Sequence, residues 1–437
     1  MNVSRYILVS APSGYVIRQR CSKAWNPVSK WRVFDTNSRD LRITLEEARP
    51  GDLAVDAKLS HSLLGFQNRF LSSSGVVRLV RSVFLPVGFP KSVTSNYLGF
   101  VKYSFSQVCL LSLSRILSTQ AMLLAVGIGQ AGALPIAAVI NWLLKDGIGH
   151  LGSIVVGTRI NTKFDSDPKR YKFLSVFLGQ AANMLGILSL AQPALFLLLT
   201  TVGSTLSRVG TLAYTSSRAR IYENFALAGN LGDLIRCSQA QSTLATILGT
   251  AVGVALAPII GGDVGRILAV FVPASFATHY FAYRAVSLIE LSTLNLQRVE
   301  LVLEEFLRCG KVPSFSDVSK KERFVFSKRI FPIRVNPRIH PSLFNDASVP
   351  TLLSHNYFAV SPTGDRVDLF VRDCANPEDV LRGILHACIL SSGRQTSEIE
   401  YSWSQLRKGL LDGGWKLDLV FIDDIHTRVV VNEFFST

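Results

Sequence analysis

Polarity along the chain falls into three zones. The middle zone holds uncharged stretches: Ile116 to Leu144, Phe173 to Ser207 and Cys237 to Gly262 carry no charged side chain, and Ile267 to Tyr283 is a further apolar run. As one helix, Ile116 to Leu144 would be long enough to cross a bilayer. Gly127, Gly129, Gly132 and Pro135 lie in its middle, so it is expected to split into two helices, each too short to cross comfortably. Pro193 predicts a kink or break in the second run, and Pro273 a break in the last. Gly249 and Gly253 form a G-x-x-x-G, which lets helix backbones approach closely. Behind this zone the pattern becomes that of a soluble domain. His355 to Val371 reads as a hairpin around S-P-T-G-D, Pro377 to Leu390 and Ser397 to Leu411 as amphipathic helices, and Trp415 to Ile422 and Arg428 to Asn432 as strands.

The expected fold class is mainly α. A helical, membrane-embedded bundle with interrupted apolar helices is followed by a small α+β C-terminal domain. An apolar bundle that buries itself, on a membrane surface, is the alternative. The expected boundaries are a basic leader and N-terminal extension over 1–82, the helical domain over 83–308, a basic linker over 309–340 and the α+β domain over 341–437. Gln120, Asn141, Gln180, Asn183, Gln192, Gln239 and Gln241 lie within or beside the apolar runs and are expected to point inward.

Composition supports the membrane reading: 18% of residues are charged, 48% are hydrophobic, and mean hydropathy is +0.30. The net charge of +15 is spread over leader, loops and tail and is not interleaved with aromatics, so nucleic acid is not expected as a partner. Anionic lipid head groups are. From Met1 to Val33 there is no acidic residue, as in transit peptides, which points to an organelle membrane, plastid or mitochondrial. A disordered basic tail is the other reading. The six cysteines form no C-x-x-C and read as free thiols.

Charge concentrates between the first two apolar runs, over Asn141 to Arg170. Gly147 to Gly152 spell G-x-G-x-x-G, but they sit in a helical apolar context without a preceding strand, so a dinucleotide loop is rejected. On a helix, Lys145, Gly149, Gly152 and Val156 share one face, a ridge for close packing. Asp146 and His150, four apart, offer a general-base pair, two metal ligands or a plain hydrogen bond on the helix surface. Asp167 suits an N-cap with Pro168 at the first helical position, and Asp233 suits a second cap after a turn at Gly232. Arg218 and Arg220, two apart, point in different directions.

These segments resemble the root UVB sensitive (RUS) family. The likeness is carried by F-L-P-V-G-F-P-K-S-V (Phe84 to Val93), L-S-T-Q-A (Leu117 to Ala121), N-W-L-L-K-D-G-I-G-H-L-G (Asn141 to Gly152), F-D-S-D-P-K-R (Phe164 to Arg170), S-S-R-A-R (Ser216 to Arg220) and N-L-G-D (Asn230 to Asp233). Ser153 stands where the family usually has Arg. The resemblance implies a helical, membrane-associated protein linked to early development and vitamin B6 homeostasis, with no reaction and no catalytic residues to transfer. The expected function is therefore a non-enzymatic scaffold or partner-recruiting module. A transporter of a small anionic solute is the alternative, and an enzyme on a B6-type or lipid substrate the third reading. A second family member, or a second copy of this chain, is the expected protein partner. No metal, cofactor or catalytic set is expected. The candidate polar site comprises Gln120, Asn141, Lys145, Asp146, Asp165, Asp167, Lys169, Arg170, Arg218, Asn230 and Asp233.

Overall fold

The structure, a computed structural model, describes residues 80–127, 136–160, 164, 166–325, 329–337, 356–393, 399–422 and 428–429, together with four short strands nearer the N-terminus. Those strands belong to a separate unit, residues 1–79. In it β1 (Tyr6–Ser10) pairs antiparallel with β2 (Val16–Arg20), and β3 (Val33–Phe34) with β4 (Asp40–Leu41). The rest of the leader lies outside the described residues.

Residues 80–437 form the second unit. Six long helices lead it: α1 (Tyr97–Ala125), α2 (Ile136–Ile160), α3 (Pro168–Ala191), α4 (Phe196–Phe225), α5 (Leu231–Ile260) and α6 (Val264–Ser287). Among the described residues, α1, α3, α5, α6 and the stretch Pro193–Phe225 that includes α4 are long and apolar enough to cross a membrane. No more than 33% of each span's most apolar window is buried. Leu198, Ile247, Ile259 and Phe276 are among the large apolar side chains left exposed. A bundle that buried its own apolar surface would not leave so much outside, so the helices fit membrane association.

α1 ends at Ala125 and α2 begins at Ile136, with Gly129, Gly132 and Pro135 outside the described residues, and neither helix is short. Each continues well past the uncharged run, α1 back to Tyr97 and α2 on to Ile160, because polar residues at the ends extend the same helical path. Pro193 ends α3 in a single 3-10 turn before α4. Pro273 does not break its run: α6 passes through it, as α5 passes through Pro258. Packing against neighbouring helices tolerates the one missing backbone donor.

Small residues set the packing. Gly203 faces Ala182 and Gly210 faces Ser175, so α3 and α4 run antiparallel. A Cβ at Gly249 would collide with the Cys109 carbonyl, and one at Gly253 would reach within 2.8 Å of Ile116. The G-x-x-x-G is thus the contact between α5 and α1. Gly149 and Gly152 likewise seat α2 against Ser204 and Thr205 of α4, the ridge expected from their spacing, and the whole G-x-G-x-x-G is helical. Gly249→Val forces a methyl group into a backbone carbonyl that cannot rotate away. It is expected to cost about 1–3 kcal/mol, measured as a lower thermal midpoint of the detergent-solubilised chain. An unchanged midpoint would refute the close α1–α5 approach.

The C-terminal region is α+β. Its elements are β5 (Thr293–Asn295), α7 (Leu296–Cys309), α8 (Phe315–Lys321), β6 (Ile333–Val335), β7 (Phe358–Thr363), β8 (Arg366–Val371), α9 (Pro377–Ser391), α10 (Ile399–Asp412) and β9 (Lys416–Phe421). The expected hairpin is β7–β8, and β6 joins β8 in parallel. β5 pairs in parallel with β9. A capping box of Asn376 and Asp379 starts α9. Val299, Val302, Leu303 and Phe306 recur at helical spacing on α7 and join Leu369, Ile384, Leu385, Leu406 and Trp415 in one core. The core of this region therefore draws in the chain from Leu294 onward, and the basic segment after Cys309 contributes α8 and β6 to it. Of Arg428 to Asn432, the described residues are Arg428, which donates to the Ala375 carbonyl, and Val429, which bridges to Arg372.

Candidate functional site

The predicted polar residues fall into separate stations. Asn141's side chain and Asp165 lie outside the described residues. At the α2–α4 contact, Lys145 Nζ donates to Asp146 Oδ1 at 3.0 Å and stands 4.4 Å from the centre of the Trp142 ring. Asp146 also accepts from Ser204 Oγ at 3.3 Å and faces Arg208 Nη2 at 3.6 Å. His150 Nδ1 lies 3.0 Å from Arg208 Nη1. Asp146 and His150 are therefore neither a base pair nor a hydrogen-bonded pair. Arg208 of α4 engages both instead.

At the start of α5, Asn230 is the N-cap and Asp233 sits in the first turn, so Asp233 is not the cap. The helix begins before Gly232 and takes it in. Asp233 Oδ2 instead accepts from the Val87 backbone N–H at 2.6 Å, and Oδ1 accepts from Arg236 at 2.8 and 3.0 Å. Its carboxylate pins the entry segment. Gln120 donates to the Ala257 and Gly261 carbonyls and so closes the C-terminal end of α5. Arg218 reaches α5, donating to Ile235 O at 2.9 Å, Ser238 Oγ at 3.1 Å and Gln239 at 3.1 Å, while Arg220 turns to Glu223 and Phe421. Gln239, bound by Arg218, is exposed, and so is Gln192 at the end of α3, against the expectation that both point inward.

The foot of α3 is the most charged station. Asp167 is the N-cap by position, with Pro168 following, but its side chain makes no capping bond. It accepts from Asn295 Nδ2 and faces Arg170 at 3.7 Å. Burial pushes the Asp167 carboxyl up, against the pull of Arg170 and Arg298. Two residues on, Lys169 Nζ donates to Glu322 Oε2 at 2.6 Å and to Ser319 Oγ at 2.7 Å. Arg298 donates to the other oxygen of Glu322 through Nε at 3.0 Å, and its Nη2 lies 2.9 Å from that oxygen as an ion pair. All three side chains are at most 2% exposed. Burial alone would raise the Glu322 carboxyl, but Arg298 and Lys169 outweigh it and hold it below its ordinary value. This buried triad joins the bundle to α7 and to the segment after α8. Sequence reading missed Glu322 and Arg298, which lie far from Lys169 along the chain.

Between these stations runs an uncharged polar seam. Gln180 Nε2 donates to Ser114 Oγ at 3.2 Å and Thr278 Oγ1 at 3.0 Å, and its oxygen accepts from Asn183 at 3.3 Å. The seam ties α3 to α1 and α6 inside the bundle. On the same face of α3, between Lys169 and Gln180, lies Lys172. It is 3% exposed and has neither a hydrogen-bond nor an ion-pair partner for its ammonium among the described residues. Its Nζ lies 4.8 Å from the Tyr214 ring centre and 5.4 Å from that of Phe100. It lines a cavity of about 220 Å³ between α1, α3, α4 and α5. Desolvating an ammonium costs several kcal/mol even after relaxation. Two ring contacts, about 0.5–2 kcal/mol each, do not offset that, whereas an anion would. Sequence reading missed Lys172 as well, because the uncharged run was counted from Phe173.

Among the described residues no group of three His, Cys, Asp or Glu side chains is placed to hold a metal ion. In the α+β region, burial pushes the Cys388 thiol well up, which does not suit a nucleophile, and His386 packs on Phe358.

The family model described as the vitamin B6 photo-protection and homoeostasis domain matches residues 71–310, more than half of the chain. Protein root UVB sensitive 3 of Arabidopsis thaliana is 28% identical over 92% of this chain and 93% of its own length. Protein root UVB sensitive 2, chloroplastic, of the same plant is 30% identical over 71% of this chain and 72% of its own. RUS family member 1 of Dictyostelium discoideum is 31% identical over 62% of this chain and 52% of its own. No solved structure matches. With the matched region spanning all six bundle helices, the chain belongs to the root UVB sensitive family, whose defining domain is that of vitamin B6 photo-protection and homoeostasis.

Proposed function

We propose that this chain is a membrane-embedded protein of vitamin B6 homeostasis that carries a small anionic solute through its helical bundle, without making or breaking bonds in it. The observation that supports this reading is the buried polar seam of Ser114, Gln180, Asn183 and Thr278 within helices otherwise fit for hydrocarbon. Polar side chains inside such helices are costly and mark solute pathways. An organelle membrane suits the reading, since one relative is named chloroplastic. The test is uptake of phosphorylated and unphosphorylated B6 vitamers into proteoliposomes holding the full chain. Uptake above protein-free vesicles, reduced in Gln180→Leu, is expected. No flux under any imposed gradient sinks the carrier reading.

The competing reading makes the α+β region a recruiting module for a second family member or a second copy. It is favoured by the buried triad, through which an event at α7 and α8 would be felt at the foot of α3. It predicts a stable oligomer of the full chain in detergent and no flux.

A further inference from the structure

We infer that the cavity around Lys172 is an anion-binding site and that it takes a phosphate monoester of small-metabolite size. Two buried donors of its lining residues have no hydrogen-bond partner among the described residues. One is the Lys172 ammonium. The other is Ser104 Oγ, from a residue that lines the same cavity, which makes no hydrogen bond among the described residues. No Asp or Glu is among the described residues that line it. Arg115 is the second basic residue of the lining and is itself exposed, so it marks the open side. Arg218 stands behind the wall, 5.8 Å from the Tyr222 ring centre and bound to Ser238, both of which line the cavity. Three cations thus stand in or behind the lining, and no acidic residue among its described members offsets them.

The donor set selects the ligand. A lysine is a point charge with three donors, suited to tetrahedral oxygens, whereas a planar carboxylate is better matched by a guanidinium fork. A phosphate monoester brings up to two negative charges for Lys172 and Arg115 and accepts from Ser104, Ser207 and Tyr214 hydroxyls. The cavity is smaller than the roughly 300–1,000 Å³ of clefts for drug-sized ligands. A single ring bearing a phosphate fits that scale. The identity of the ligand as a phosphorylated B6 vitamer rests on the carrier reading; the anion site itself does not.

The experiment uses the full chain in detergent, with thermal unfolding and calorimetric titration as readouts. The probes are pyridoxine 5′-phosphate, which has no aldehyde to react with surface lysines, inorganic phosphate and unphosphorylated pyridoxine. The phosphorylated vitamer is expected to raise the melting temperature, inorganic phosphate to compete with it, and pyridoxine to do neither. Lys172→Met is expected to weaken binding by roughly thirtyfold or more and to raise the melting temperature of the ligand-free protein, since it removes an unpaired buried charge. A lysine with a merely structural role would lower it. Ser104→Ala is expected to weaken binding about fivefold, and it keeps the question open to test if Lys172→Met does not fold. Stabilisation by inorganic phosphate that the ester does not exceed assigns the site to free phosphate and overturns the monoester. No response to any anion, or a Lys172→Met protein that responds like the unsubstituted chain, overturns the site. Binding without flux leaves the site standing and removes the carrier reading. Flux that is indifferent to Lys172→Met, with anion binding equally indifferent to it, leaves the carrier reading standing and removes the site.

Discussion

Glu322→Ala is expected to destabilise the full chain by about 3–5 kcal/mol, the cost of leaving buried cations without their counter-ion. Glu322 accepts from Lys169 through one carboxylate oxygen and from Arg298 through the other, and none of the three is appreciably exposed. Removing the carboxylate leaves two positive charges facing each other inside the protein. The measurement is thermal unfolding in detergent at neutral pH. The triple change Lys169→Met, Arg298→Leu, Glu322→Leu is expected to be near neutral by comparison, because apolar residues of similar size replace the whole triad. If the single and triple variants lose the same stability, the charges do not govern this junction. The pH dependence follows from the depressed Glu322 carboxyl. Its contribution is complete above the unfolded-state value of about 4.3 and is lost as pH falls through the lower folded-state value. The gap between wild type and Glu322→Ala should therefore be full at neutral pH and close in acid.

That junction also marks what the sequence can and cannot reveal. Features with a local cause were legible. Proline at the first position of α3 fixes φ without losing a needed donor, and Gly249 with Gly253 permits the α5 approach to α1 because both lie on one face. The hairpin β7–β8 follows from its turn residues. Features whose cause is distant were not. Asp167 reads as a cap until Asn295, from the end of β5 far along the chain, takes its carboxylate. Asp146 and His150 read as a pair until Arg208 engages both. Lys169 reads as a basic residue of a helix start, and only the folded chain brings Glu322 to it. One signal did lie in the sequence. Lys169, Lys172, Val176, Gln180, Asn183 and Ile187 recur at helical spacing and all prove buried. A stripe that places lysine and amide side chains on the same face as valine and isoleucine must face the protein interior, because the opposite face of α3 is apolar. Counting the uncharged run from Phe173 concealed it, since the stripe begins before that point.

Phe225→Ala is expected to cost about 3–5 kcal/mol, the range for emptying a buried aromatic site. Phe225 is fully buried at the end of α4, with the rings of Phe100, Tyr97 and Tyr222 centred 4.8, 5.8 and 6.4 Å away. Its carbonyl accepts from Thr94 N–H, and Ala226 bridges to Val93, so the backbone there is held from two directions and closes poorly over the gap. Phe225→Leu, which keeps most of the volume, should cost less than about 1.5 kcal/mol. The change also reaches the anion cavity. Phe100 lies beneath Lys172, and Tyr222 lines the same wall. With Phe225 gone, both rings lose a neighbour that fixes them. Stabilisation by pyridoxine 5′-phosphate should then shrink without vanishing, because Lys172 and Ser104 remain. The two variants thus carry opposite signatures in one unfolding experiment. Phe225→Ala lowers the ligand-free midpoint and keeps part of the ligand response, whereas Lys172→Met raises the midpoint and abolishes the response. Were both to lower the midpoint and keep the response, Lys172 would be a packing residue of the aromatic cluster and not the charge that recognises an anion.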